Sequence, residues 1–319
     1  MLARIGALLT AFTLTAAPAA YAAPDGFDLQ AHRGGRGETT EESLRAFTKA
    51  LELGVTTLEL DIVLSKDAAP MVWHDPTVQA DKCADTGPAT PGDPQYPYVG
   101  KLVHDLTLAQ LRTLNCGKLL SGFPGAEVVS GNKIATLDQV FALADAHHAG
   151  VRYNIETKIE ADKPETSAAP EQFVDVILAA VRAANKLDKV EIQSFDWRTL
   201  PLVRRQESGI PLVALWDETT WVPDSVWTAG VNPAVVGDPI IGAMSVGANI
   251  LSPEYSLVDR AFVDRAHAKG LKVIPWTVND ADAMRAQIAA GVDGIITDYP
   301  SRLRAVLGEL GMPLPTAYR

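Results

Sequence analysis

The chain of 319 residues has only two cysteines, no run of like charge longer than two or three residues, and a single long apolar stretch, at its start. Each shortage excludes something. Two cysteines cannot build the dense covalent framework that small secreted domains use in place of a core. Lys and Arg (28) are outnumbered by Asp and Glu (39), for a formal charge of −11. That balance argues against a general nucleic-acid binder, because such proteins concentrate cations to displace counterions from phosphates. With no charged block there is no acidic or basic tail to explain. What is present is an ordinary apolar content, 47% with mean hydropathy +0.05. It is too high for a disordered chain and large enough for one α/β domain or two medium ones.

The apolar stretch has one positive residue, Arg4, a centre from Ile5 to Ala17, and small residues after it. This is the pattern of a secretory signal peptide over residues 1–22, with Ala20-Tyr21-Ala22 as the small-x-small cleavage motif. Its apolar run falls short of the ~20 residues that a spanning helix needs, so no stable membrane insertion is expected after its removal. The expected location is secreted or extracytoplasmic. Export permits a disulfide, and Cys83 and Cys116 lie in one inter-element region, so they are expected to be bonded.

Beyond residue 22, short β-branched runs alternate with helix-period segments, the mark of βα units around a parallel sheet. Strands are predicted at Asp28–His32, Thr57–Leu64, Arg152–Thr157, Val190–Ser194, Pro211–Leu215, Asn249–Leu251, Lys272–Trp276 and Gly294–Thr297. Helices are predicted at Glu41–Leu53, Leu137–Ala149, Glu171–Ala184, Arg198–Gln206, Val258–Lys269, Ala281–Ala290 and Ser301–Leu310. Eight strands in a chain of this length suit an α/β fold of the (β/α)₈ TIM-barrel type. A doubly wound dinucleotide fold is the main rival, but Gly34 to Thr39 does not complete its glycine fingerprint. Between His74 and Thr136 the rhythm breaks into a Gly- and Pro-rich segment with one short helical piece, Leu106–Leu114. It is predicted to be a small insertion after the second strand, about residues 79–135, seated over a barrel mouth and pinned by the disulfide. A second irregular stretch, Trp216–Gly247, is predicted to replace a helix with turns.

Functional groups of such a barrel gather where strands end. His32 and Arg33 end the first strand. Glu59 and Asp61 lie two apart on the second and so face the same way, as do Glu156 and Lys158 at the end of the third. Gln193 ends the fourth strand and Trp276 the seventh. Glu59, Asp61 and Glu156 offer three hard oxygen ligands with no thiolate or imidazole cluster nearby, a set suited to one divalent cation, Ca²⁺ or Mg²⁺, rather than zinc. An ion pair between Glu156 and Lys158 is the simpler structural alternative. Asp298 and Trp73 are read as barrel-end structure, His104 as a residue of the insertion, and His147, His148 and His267 as surface residues.

The segments AHRGGRGETTEESLRAF, LELDIVLSKDAAPMVWHDPTV, NIETK, QSFDW, IPWTVND and GVDGIITDYP together resemble the secreted glycerophosphodiester phosphodiesterase family over nearly the whole chain after the leader. Most specific is the combination of His-Arg-Gly, Glu-x-Asp and a His-Asp thirteen residues beyond that Asp. The resemblance implies metal-dependent cleavage of small-molecule glycerophosphodiesters to sn-glycerol 3-phosphate and an alcohol. It implies His32 and His74 as the acid/base pair, Glu59, Asp61 and Glu156 as metal ligands, and Arg33 and Lys158 as the groups that hold the phosphate. Trp276 then lines the substrate pocket and Gln193 lies near the site. One departure stands out. The family's Glu-Asn-Thr before the first helix is here Glu41-Glu42-Ser43, which puts helix-start contacts in question more than the chemistry.

Two alternatives come with this reading. A sphingomyelinase D-like phospholipase shares the barrel, the acid-ligated metal and the two histidines, but the long insertion argues for the diesterase. A secreted phosphodiester-binding protein without turnover needs the positive groups, yet has no use for a matched acid and base.

Overall fold

The computed structural model describes residues 26–319, and the leader assigned to residues 1–22 lies outside the described residues. Among the described residues there are nine strands: β1 (Asp28–Ala31), β2 (Thr57–Leu64), β3 (Pro70–Val72), β4 (Arg152–Thr157), β5 (Val190–Ser194), β6 (Leu212–Trp216), β7 (Ile250–Pro253), β8 (Lys272–Val273) and β9 (Gly294–Thr297). All but β3 pair in parallel, in the order β8-β7-β6-β5-β4-β2-β1-β9. Backbone bonds from Asp293 N to Val273 O (2.8 Å) and from Ile296 N to Pro275 O (3.0 Å) bring the two ends of this order together. The result is a nearly closed eight-stranded α/β barrel, as the alternation of elements predicts.

Alternation along each strand divides the side chains into two populations. Leu29, Leu58, Leu60, Tyr153, Ile155, Ile192, Leu212 and Leu251 point out into one continuous core beneath the helices. The inward residues split again. Val213, Ile250, Ile274 and Ile296 form a small apolar cluster, whereas β1, β2, β4 and β5 turn polar residues inward. Those polar groups bond to one another. Gln30 donates to Asp28 and Glu191, and Asn154 donates to Gln30 and Gln193, all at 2.8–3.0 Å. A buried polar set of this kind is tolerable because its members are bonded, and it gives the active half of the barrel a hydrophilic floor.

The structure adjusts several sequence-based boundaries. The strand expected at Lys272–Trp276 is regular only over Lys272–Val273, since Pro275 has no N–H for the ladder. The stretch 216–247, expected as turns, contains helices Pro233–Val236 and Pro239–Ser245, each with Pro at its start and an Asn232 or Asp238 cap. Proline there acts as a helix initiator rather than turn punctuation. The helical piece in the insertion shortens to Leu108–Leu111, preceded by a 3₁₀ turn at Val103–Asp105.

Strand β3 is not among the strands that the sequence predicts. It folds back antiparallel on the end of β2, with Ile62 opposite Val72 and Leu64 opposite Pro70, and Trp73 N then bonds to Asp61 O at 3.0 Å. This hairpin carries the next residue, His74, to the barrel mouth. The insertion packs on the hairpin through its own core, in which Trp73, Val78, Tyr98, Leu106, Leu111 and Ile134 surround the bonded pair Cys83–Cys116.

That bond closes a loop of sequence separation 33, which in the chain-entropy account stabilises the fold by about 3–4 kcal/mol. Replacing both cysteines by serine is therefore expected to lower the unfolding free energy by that order, read as a lower urea midpoint, with an m-value that rises as the unfolded chain loses its cross-link. An unchanged midpoint would show that the insertion's apolar core suffices without the bond.

Candidate active site

The first site residue sits where β1 runs out. His32–Gly34 form a single 3₁₀ turn in which Arg33 adopts φ 52°, the left-handed region. A non-glycine residue there costs on the order of 1–3 kcal/mol and persists only when its surroundings hold it. Two contacts do so. Arg33 N donates to Glu59 Oε2 at 2.8 Å, and Gly34 presses so closely on the helix Leu44–Leu53 that a Cβ would lie 2.9 Å from Ala46 Cβ.

Strand register brings the acids together. Asp61 is the direct partner of Glu156 across β2 and β4, and Glu156 of Gln193 across β4 and β5. Glu59, Asp61 and Glu156 are all buried and offer oxygen atoms within 4.8 Å of one another. Glu59 is oriented on both oxygens, by Arg33 N and by Gln193 Nε2 at 2.6 Å. Both carboxylate oxygens of Asp61 are buried and accept no hydrogen bond, although Arg33 Nε lies 3.0 Å from Oδ2 as an ion-pair contact. Buried oxygens left bare between two further acids fit a hard divalent cation, and the pre-oriented Glu59 is the kind of ligand such a site needs. Lys158 Nζ does pair with Glu156 Oε1, at 2.8 Å, so the ion pair and the acid cluster coexist.

The electrostatics follow from this crowding. Burial, reinforced by Asp61 and Glu156, pushes the Glu59 carboxyl well above the usual carboxylate range. Burial likewise raises Glu156, to about 7, with Lys158 opposing the rise and Asp61 adding to it. For Asp61 burial also acts upward, but Arg33, with smaller help from His74 and Lys158, outweighs it and holds the group below the ordinary range.

His32 Nδ1 lies 2.5 Å from Asp298 Oδ1, and Asp298 is itself held by Asn279 Nδ2 at 2.7 Å. His74 Nδ1 lies 3.1 Å from Asp75 Oδ1. A carboxylate can only accept, so each ring carries its proton on Nδ1 and leaves Nε2 as the free basic nitrogen. Burial lowers the pKa of both rings. For His32, Asp298 partly offsets this, whereas for His74 the nearby Lys158 and Arg33 add to it. Both imidazoles, with Arg33, Glu59, Glu156, Lys158, Gln193 and Trp276, line one cavity of about 210 Å³, whose remaining wall includes Phe195, Leu215 and Ile296. Trp276 is fixed by Nε1–H donation to Ser252 O (2.9 Å) and edge-on packing against Phe195.

Every site residue named from the sequence thus reaches the same barrel mouth. Three readings need correction. Asp298, taken as barrel-end structure, is the partner of His32; an acid one residue past the last strand of a barrel was the available signal. Glu42, taken as a helix-start residue, is buried in the left-handed region (φ 54°) and accepts from Asp61 N at 3.0 Å. Burial and the neighbouring Asp61 push its carboxyl well above the usual range. Trp73 belongs to the insertion core. Glu41, Asp75 and Phe195 stand in the quoted motifs but receive no role from the sequence, because the partners of polar and aromatic residues in turns leave no periodic signal.

Comparison with known proteins agrees with this geometry. The glycerophosphoryl diester phosphodiesterase family matches residues 32–302. A glycerophosphodiester phosphodiesterase of Caldanaerobacter subterraneus subsp. tengcongensis is 28% identical over 273 residues, covering 86% of this chain and 94% of that protein. Among solved structures, a Silicibacter pomeroyi protein of glycerophosphoryl diester phosphodiesterase designation superposes with a TM-score of 0.76 at 28% identity, over 91% of this chain and 95% of its own. An Oleispira antarctica phosphodiesterase in complex with the product sn-glycerol-3-phosphate shares the fold at a TM-score of 0.66 and 20% identity, over 88% and 96% of the two chains.

A cation entering the acid cluster must displace the protons that burial retains on Glu59 and Glu156. Calorimetric titration with Ca²⁺ or Mg²⁺ is therefore expected to show affinity rising with pH up to about 7, by about tenfold per pH unit for each proton released. Affinity that is flat between pH 5.5 and 7 would contradict proton displacement, and Asp61→Asn should abolish binding.

Proposed function

Since the chain belongs to the glycerophosphoryl diester phosphodiesterase family, and is thereby a phosphodiesterase of glycerophosphodiesters, we propose that it performs metal-dependent hydrolysis to sn-glycerol 3-phosphate and an alcohol, with His32 and His74 as general acid and base. The observation that carries this reading is the convergence of two Nδ1-anchored imidazoles, Arg33, Lys158, Glu59 and Glu156 on one cavity, with the third buried acid, Asp61, within 4.8 Å of the other two. The family match does not favour the sphingomyelinase D-like or binding-only alternatives.

A phosphodiester is anionic and repels nucleophiles, so a site must offset the charge that grows on its phosphoryl oxygens. Arg33, with its fork of donors, and Lys158 answer that need. Glu59, Asp61 and Glu156 would hold the cation, Ca²⁺ or Mg²⁺, which when bound supplies further charge neutralisation at the phosphate. One neutral imidazole takes the proton of the substrate's own glycerol hydroxyl as its oxygen bonds to phosphorus. The other, protonated, gives its proton to the departing alcohol oxygen as that P–O bond breaks. Water then opens the cyclic phosphate with the two proton movements reversed, and both rings return to their starting states. Gln193 orients Glu59, while Trp276 and Phe195 form an apolar wall for the substrate.

The reading extends to the whole chain. A leader over 1–22 followed by one barrel with an insertion at about 79–135 would deliver the protein outside the cytoplasm. The Cys83–Cys116 bond supports that location, because such bonds persist in oxidising compartments. The mass of the exported protein tests it: an intact Met1 would refute cleavage.

A coupled glycerol 3-phosphate assay across choline, ethanolamine and glycerol diesters tests the activity. His32→Ala and His74→Ala should each lower kcat by about 10²–10⁴-fold with the fold retained; retained turnover in either removes that residue from the chemistry. Asp298→Asn has a signed consequence. Asp298 raises the pKa of His32 against the effect of burial, so its loss should move whichever limb of the pH profile His32 controls to lower pH. A limb that stays in place or moves up would contradict the pairing.

A further inference from the structure

The insertion places one buried cation against the active site. Lys82, whose side chain is 11% exposed, has its ammonium 2.5 Å from Asp75 Oδ2 and 2.5 Å from Glu41 Oε1. It also lies 5.3 Å from the centre of the Trp73 ring. Each of these carboxylates turns its other oxygen to a residue of the catalytic cavity. Asp75 Oδ1 faces His74 Nδ1 at 3.1 Å, and Glu41 Oε2 faces Arg33 Nη1 at 3.3 Å and Arg36 Nε at 2.8 Å.

The two arms differ in redundancy. Without Lys82, Glu41 still has two guanidinium groups. Asp75, among the described residues, has Lys82 and His74 as its ionic partners, so Lys82 is what keeps its carboxylate from turning out to water. The lysine itself is anchored at both sides. Lys82 N and Cys83 N bond to Gln79 O, Ala84 and Asn115 exchange backbone bonds at 2.8 and 3.0 Å, and the adjacent Cys83 is covalently tied to Cys116. A long flexible side chain loses rotamer freedom when it is held in one pose. Here a fixed backbone, one charge-assisted hydrogen bond to Asp75 and an ion pair with Glu41 offset that loss.

We infer that Lys82 is a positioning residue supplied by the insertion: it holds Asp75 so that the His74 ring keeps one orientation and one tautomer, with Nδ1 protonated and Nε2 free. The insertion thereby completes the acid/base half of the site as well as roofing the barrel. This role rests on the reading of His74 as an acid/base group, and the experiment separates the two.

Lys82→Met and Lys82→Arg are compared with the unaltered protein by sn-glycero-3-phosphocholine turnover and by long-range ¹H–¹⁵N spectra of the His74 ring at neutral pH. In Lys82→Met, kcat should fall by about 10–100-fold, the scale on which groups that orient a catalytic residue act, with KM changed less than about threefold. Its His74 nitrogens should report mixed tautomers in place of the Nδ1–H form. Lys82→Arg, which keeps a cation between the two carboxylates, should restore both readouts. A His74 spectrum that Lys82→Met leaves unaltered overturns the inference, whether or not the protein turns over the diester. A loss confined to KM also overturns it, because the lysine would then act through Glu41 and Arg33. If Lys82→Met does not fold, Asp75→Asn is read instead, since it leaves the Lys82–Glu41 contact in place. The same kcat loss and tautomer mixing support the inference, and their absence overturns it. Absence of turnover in the unaltered protein, together with the expected spectral change, refutes the diesterase reading and leaves the positioning role standing.

Discussion

Mutual repulsion among buried carboxylates is the constraint around which this barrel mouth is arranged. Glu41, Glu42, Glu59, Asp61 and Glu156 are each 6% exposed or less, and no apolar interior holds so many like charges without compensation. The structure compensates in two ways. Arg33, Arg36, Lys82 and Lys158 are threaded between the acids, and burial holds protons on Glu42 and Glu59 well above the usual carboxylate range. What is left over is Asp61, kept ionised by Arg33 yet without a hydrogen bond on either oxygen. In the proposed function, the excess negative charge would attract a cation and the interleaved basic groups a phosphate.

Much of the surrounding architecture serves to keep that arrangement rigid. The inward polar residues below the mouth are hydrogen-bonded to one another, so Glu59 rests on Gln193, Gln193 accepts from Asn154, and Asn154 also donates to Gln30. The apolar half of the barrel, around Val213, Ile250, Ile274 and Ile296, needs no such bonding. It gives the cavity its dry wall beside Phe195 and Trp276. At the site, backbone strain is offset by contacts: Arg33 and Glu42, both left-handed, are bonded to Glu59 and to the Asp61 backbone.

An acidic protein that handles an anionic substrate is a contradiction at the level of net charge, but the contradiction dissolves locally. Charge far from the site is screened within about 10 Å at ordinary ionic strength, whereas the groups facing the cavity act through low dielectric. The formal charge of −11 therefore bears on polyanion binding in general and says little about one phosphate in one pocket.

The sequence by itself determined the barrel, because period-2 runs separated by helix-period segments allow few ways to bury both kinds of face. It also determined the acid pair on β2, since residues two apart on a strand must face the same way. The His-Arg-Gly and His-Asp motifs were legible for the same local reason, as were the Cys83–Cys116 pair and the alignment of Glu156 with Lys158. Tertiary structure alone decided the partners. Asp298 lies 266 positions from His32, and no local period relates them; only closure of the barrel brings the end of β9 beside the end of β1. The return of β3 over β2 delivers His74, and the placement of Glu42 beneath Asp61 and of Lys82 against Asp75 depends on turns and on the insertion core. In those segments positive φ, capping and hydrogen bonding decide direction, and none of these leaves a repeating mark in the sequence.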